Sequence, residues 1–160
     1  MDVTEPMRHF RRAEDLSRAH APVSGRREPT RGPKLLILVV ERDPHIRELE
    51  THYLNAAGFA VEFALDGNAA LAHAQLLHPD LIITEILVPH LDGLALCRRL
   101  KADPVTADIS ILVFSILASR VRALEAGADA FLMKPLGEHR LLTTVQQLLE
   151  NRVTRQEAQA

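Results

Sequence analysis

The 160-residue chain has no tryptophan, one tyrosine and one cysteine, and aromatic residues make up only 4% of it. A lone cysteine excludes an internal disulfide and a cysteine-rich zinc site, and a reducing cytoplasm is the expected compartment. The core has to be aliphatic. No apolar run approaches the roughly 20 residues that cross a bilayer, and the N-terminus lacks the apolar stretch of a secretory signal, so neither a membrane partner nor export is expected. The eight histidines form no HxxxH or HExxH arrangement, which argues against a histidine metal site. No glycine-rich phosphate loop follows the first apolar run and Ser115 lies in no GxSxG elbow, so a nucleotide binder or a serine hydrolase has no foothold.

What is present reads as one folded domain with an extension. The chain is 47% hydrophobic and 25% charged, the balance of a globular protein, and its length suits a single domain. The net charge of -2 is uneven: residues 1–34 hold 8 of the 19 basic and 5 of the 21 acidic side chains, giving a tail of +3 and a body of -5. A body of that sign is a poor nucleic-acid surface, because phosphates are bound by clustered Lys and Arg. Residues 1–34 include Pro6, Pro22, Pro29 and Pro33 with few large apolar groups, and are expected to be a disordered Arg/Pro-rich extension.

From residue 35 onward, short apolar runs alternate with stretches of helical period. The runs are Leu35 to Val40, Phe59 to Ala64, Leu81 to Thr84, Ile109 to Phe114 and Ala130 to Met133. The helical stripes are Ile46, Leu49, Tyr53 and Leu54; Ala69, Leu71, Ala72 and Leu76; Leu94, Leu96, Cys97 and Leu100; Val121 and Leu124; and Leu141, Leu142, Val145, Leu148 and Leu149. Five βα units in succession predict an α/β fold, a doubly wound parallel sheet covered by helices on both faces. Asp43 before Pro44 supplies an N-cap and a first-turn proline, Asp66 can cap the second helix, and Gly58 and Gly127 close the first and fourth. Residues at the carboxyl ends of the first and third strands then converge on the edge where open α/β sheets place their sites. The domain is set at 35–150, with 151–160 as a polar C-terminal tail or helix continuation.

The segments "LLILVVERDPHIRELE", "HPDLIITEILVPHLDG", "LCRRLKADPVTADISILVFS" and "ALEAGADAFLMKPL" resemble, in order, the receiver domain of two-component response regulators. The resemblance implies a flavodoxin-like five-stranded sheet in the order 2-1-3-4-5 and a phosphorylation pocket at its carboxyl edge. In that family a strand-three Asp accepts a phosphoryl group from a histidine kinase. An acidic pair after strand one holds magnesium, a Ser or Thr ends strand four, and a cis Lys-Pro step follows strand five. Those roles fall here on Glu85 at the phosphoacceptor position, Glu41 and Arg42 at the acidic pair, Ser115 at the hydroxyl, and Lys134 with Pro135. Phe131 takes the strand-five aromatic position, which in receivers swings inward when the hydroxyl moves toward the phosphorylated Asp.

Two of these positions depart from the pattern. Glu85 is one methylene longer than Asp, so its carboxylate is expected where the phosphoryl group should arrive, and phosphoryl transfer depends on in-line positioning. Arg42 cannot ligate magnesium, which wants carboxylate and phosphate oxygens in near-octahedral array. Glu41 and Glu85 against Arg42 and Lys134 make a pocket of zero net charge, and Arg42 with Glu85 is expected to form an ion pair that substitutes for the metal and phosphate. The reading is therefore a stand-alone pseudo-receiver, not an enzyme, that acts through a protein partner without phosphorylation or magnesium. The contact face is expected at helix four, strand five and helix five. The alternative is a weakly active, magnesium-dependent phosphoacceptor in a phosphorelay. Ala130 replaces a charged residue of the family's frequent dimer interface, so a monomer or weak dimer is expected. Cys97 reads as a small core hydrophobe, Asp92-Gly93 as turn chemistry, and His90 as a surface loop residue beside the pocket.

Overall fold

The β-branched and leucine-rich runs become strands, and the three central ones bury nearly every residue on both faces. In a computed structural model that describes residues 33–135 and 137–159, β1 is Leu36–Val40, β2 Ala60–Ala64, β3 Leu81–Thr84, β4 Ser110–Ser115 and β5 Ala130–Met133. They form one parallel sheet in the order β2-β1-β3-β4-β5. The helices are α1 (Pro44–Ala56), α2 (Gly67–Leu77), α3 (Gly93–Ala102), α4 (Arg120–Glu125) and α5 (Glu138–Gln159). The extension set at 1–34 lies outside the described residues except for its last two.

Alternate side chains of each strand feed two cores, one on each side of the sheet. Leu38, Val40, Ile82, Ile111, Val113 and Phe131 join Leu96, Cys97 and Leu100 of α3 on one side. Ile37, Val39, Leu81, Ile83, Leu112 and Phe114 meet Leu54 of α1 and Leu141, Val145 and Leu149 of α5 on the other.

Turn and cap chemistry fixes the helix starts. Asp43 accepts from His45 N–H at 2.9 Å, Asp66 from Ala69 N–H at 2.8 Å, and Asp92 from Leu94 and Ala95 N–H at 2.9 Å each. Gly93 allows α3 to begin hard against the end of β3, where an added Cβ would lie 2.3 Å from the Glu85 carbonyl oxygen. Gly58 and Gly127, with φ of 96° and 106°, supply the left-handed conformation that follows α1 and α4.

Several helix faces differ from the predicted stripes. Small residues meet the sheet in α2 and α4: Ala70, Ala74 and Ala123 are buried, while Leu76, Val121 and Leu124 are exposed. A helix seated close to a sheet has room for alanine; Leu71 of α2 packs only partly against the core, and Leu76 and Leu77 are exposed. In α1, Leu49 is exposed and Glu50 is buried. At the other end of the chain, α5 runs on to Gln159 through the stretch assigned to a tail. Arg152 anchors it, donating to Asp80 at 2.8 Å and to Asp108 at 3.4 Å at the amino end of the sheet, where Asp80 also accepts from Leu36 N–H.

Candidate functional site

The register of the sheet puts four side chains side by side at its carboxyl edge. Glu41 follows β1, Glu85 follows β3, Ser115 ends β4 and Lys134 follows β5, and the strands carrying them are neighbours. Backbone hydrogen bonds hold the ends in place: Glu85 N–H donates to Val40 O at 3.0 Å and Lys134 N–H to Ser115 O at 2.8 Å. The Lys134-Pro135 peptide is cis.

The centre of the cluster is the Lys134 ammonium, which donates to Glu41 Oε1 at 2.5 Å and to Glu85 Oε2 at 3.0 Å. Its nitrogen also lies 5.3 Å from the centre of the Phe114 ring. All three charged side chains are buried. Glu85 Oε1 accepts from the Ser115 hydroxyl and from Ile86 N–H at 2.7 Å, and Oε2 accepts from Ile116 N–H at 3.3 Å. Burial alone would raise the Glu85 pKa; the Ser115 hydroxyl, the Lys134 ammonium and the Ile86 N–H outweigh it and hold the carboxyl below its ordinary range. Burial likewise works against the charge on Lys134, but Glu41 and Glu85 raise its pKa further than burial lowers it.

Arg42 does not join this cluster. Its side chain is exposed, and among the described residues its guanidinium has no hydrogen-bond or ion-pair partner; only its N–H is used, donating to Glu41 Oε2 at 3.1 Å. The expected Arg42–Glu85 pair is thus replaced by Lys134–Glu85. The reason is geometric: the chain turns outward after Glu41 toward the Asp43 cap, while the Glu85 carboxylate folds inward onto β4. The buried charges are then two carboxylates and one ammonium, net -1, where zero was expected.

The remaining candidates are placed as follows. Phe131 is 5% exposed and packs in the core, with the Arg120 guanidinium 5.9 Å from its ring centre. Asp43 is occupied with its cap and His90 is exposed with φ of 69°. Cys97 is fully buried, and burial pushes its thiol up to about 12, which leaves it without thiolate reactivity near neutral pH. Among the described residues, no group of three or more His, Cys, Asp or Glu is arranged to hold a metal ion. No helix among them is long and apolar enough to cross a membrane.

This constellation on this topology agrees with a wider comparison. The response regulator receiver domain family matches residues 37–146. The chain belongs to that family. The receiver region is 37% identical over 116 residues to the DNA-binding dual master transcriptional regulator RpaA of Synechocystis, covering 71% of this chain and 48% of RpaA. It is 35% identical over 116 residues to the response regulator PleD of Caulobacter vibrioides, covering 71% of this chain and 25% of PleD. The chain therefore spans half or less of the length of these relatives. Among solved structures, the chemotaxis response regulator CheY4 of Vibrio cholerae superposes with a TM-score of 0.69 at 28% identity, covering 72% of this chain and 99% of CheY4. The receiver domain of a Pseudomonas aeruginosa sensor histidine kinase, with magnesium coordinated in its active-site cleft, matches with a TM-score of 0.69 at 25% identity, covering 74% of this chain and 99% of that one. Receiver domains are signalling modules that interact with histidine kinases and other proteins.

Glu50 and Arg152 were not singled out from sequence. Glu50 lies four residues after Ile46 and three before Tyr53, on the inward stripe of α1, so an acid on an apolar face was its visible signal. Arg152 continues the period of Leu141, Val145 and Leu148 at the point where the composition turns polar.

Proposed function

We propose that this receiver domain is a pseudo-receiver, a non-enzymatic cytoplasmic signalling module that works by protein-protein contact without taking up phosphate or magnesium. The observation that carries this reading is the saturation of Glu85. Its carboxylate receives the Ser115 hydroxyl, the Lys134 ammonium and the N–H groups of Ile86 and Ile116. A nucleophile committed to these donors, with Leu87 N–H adding a longer contact at 3.5 Å, is not poised to attack a phosphoryl donor in line. With Ser115 already engaged and Phe131 already buried, the switch pair has the arrangement that the family resemblance associates with the phosphorylated state, which supports one fixed conformation.

The donor set does not fit magnesium. Glu41 and Glu85 are bridged by the Lys134 ammonium, the second acid position holds the outward-facing Arg42, and Asp43 caps α1. Recruiting a metal would displace a buried lysine from both of its partners.

The partner face we assign is the groove between α4, β5 and α5, a cavity of about 480 Å³. Exposed Val121 and Met133 give it an apolar floor, and Arg120, Arg122 and Arg140 rim it with positive charge. Three arginines repel a second copy of the same face, which favours a monomer or weak dimer and an acidic signalling partner. Magnesium titration tests the proposal. Millimolar magnesium should leave the melting temperature of the wild-type protein unchanged and raise that of Arg42→Asp/Glu85→Asp. A magnesium-dependent rise in the wild type favours the phosphoacceptor alternative.

A further inference from the structure

A second pocket opens on the other side of Lys134, between α1, the carboxyl ends of β4 and β5, and the start of α5. It encloses about 260 Å³, and Ile46, Tyr53, Phe114, Ile116 and Leu141 form most of its wall. That volume falls just below the roughly 300–1,000 Å³ of common small-molecule sites, so it suits a compact ligand. The one acid on the wall is Glu50, which is 4% exposed and whose carboxyl has no hydrogen-bond or ion-pair partner among the described residues. Its oxygens are not sealed into the core, so the acid presents its polar atoms to the cavity, where a ligand can pair with them.

We propose that this cavity binds a small organic amine with an apolar body, its ammonium group paired with Glu50 and its hydrocarbon part packed against Tyr53, Phe114 and Leu141. Charge selects the cation. Lys134, the ammonium on the wall, is already paired with both Glu41 and Glu85, so the cluster behind it carries an excess of one negative charge before Glu50 is counted. The apolar wall selects an organic cation over a hydrated metal ion; the ring of Tyr53 offers a face that attracts one, while Phe114, already 5.3 Å from Lys134 Nζ, adds hydrocarbon. The location gives the ligand a consequence: Phe114 and Ile116 flank Ser115, and Lys134 holds Glu85, so an occupant touches the neighbours of the switch pair on both sides.

The state of Glu50 supplies a distinctive signature. Burial pushes its carboxyl up to about 8, with Lys134 lowering it and Glu41 and Glu85 raising it further; Lys134 and Tyr53 are the other titratable groups on the wall, and α5 contributes Leu141. At pH 7 the group is mostly protonated, so pairing with an ammonium must expel its proton. Benzylamine and its neutral near-isostere benzyl alcohol serve as probes for the full chain in titration calorimetry. Benzylamine should bind at least about tenfold more tightly than the alcohol at pH 8.5, and its binding at pH 7 should release close to one proton, read from buffers of different ionisation enthalpy. Glu50→Gln should weaken benzylamine about tenfold and abolish the proton release. Equal binding of the two probes, no binding of either, or undiminished binding to Glu50→Gln overturns the proposal. The comparison of probes on the wild-type protein decides the matter even if the variant does not fold.

Discussion

Glu85 and Glu50 are both buried carboxyl groups near Lys134, and their surroundings send them in opposite directions. Glu85 meets a hydroxyl, an ammonium and two backbone N–H groups, and stays ionised. Glu50 meets hydrocarbon, and burial pushes its pKa up to about 8. Burial alone therefore says little about a carboxyl group; what it is hydrogen-bonded to decides its charge. The first arrangement commits the donors of a phosphorylation pocket to the protein's own carboxylate, and the second leaves a carboxyl group without a hydrogen-bond partner among the described residues.

The sharpest way to break this contrast is to remove the cation. Lys134→Met leaves Glu41 and Glu85 buried without their ion-pair partner and should cost about 3–5 kcal/mol in urea unfolding. A loss below about 1 kcal/mol would mean that solvent reaches the two carboxylates.

The pH dependence separates the two acids next. Glu50 has a folded pKa raised from 4.5 to about 8, so its favourable contribution is complete below 4.5 and is lost as the pH rises toward 8, at up to about 1.4 kcal/mol per unit. Glu85, with a lowered folded pKa, contributes stability above 4.5 that is lost as the pH falls through its folded value. Lys134, with a raised folded pKa, contributes below 10.5 and loses it as the pH rises past its folded value. Glu50→Leu should remove the decline between pH 4.5 and 8, leaving the acid-side loss intact. An unchanged profile in that variant would show that Glu50 is solvated.

The smallest effect belongs to Arg42. Arg42→Ala should change stability by no more than about 0.5 kcal/mol, and its effect should add to that of Glu85→Ala within about the same margin. A coupling energy well above that value would restore the direct Arg42–Glu85 pair.

How much of this was legible in the sequence follows from what each signal measures. The strands were readable because parallel strands are continuous apolar runs, their order because the family resemblance implies it, and the caps because Asp before Pro44, Gly67 and Gly93 is local chemistry. Glu41 and Glu85 were brought together by strand ends, and Ser115 and Lys134 joined them through the family resemblance. The pairing among them was not readable. Arg42 and Lys134 are equally cationic in sequence, and only the outward turn after Glu41 assigns the buried role to Lys134. In α2 and α4 the helical period did not single out Ala70, Ala74 and Ala123, the small residues that fit against the sheet, while Leu76, Val121 and Leu124 are exposed. Glu50 was passed over as one charge among many on α1, although its spacing from Ile46 and Tyr53 placed it inside.

The central claim is that Glu85 is an occupied position, not a waiting nucleophile. Intact-mass spectrometry of the wild-type protein after incubation with acetyl phosphate and magnesium tests it most directly. The account predicts an unchanged mass with and without the metal. A stoichiometric, magnesium-dependent acyl phosphate on Glu85 would contradict it.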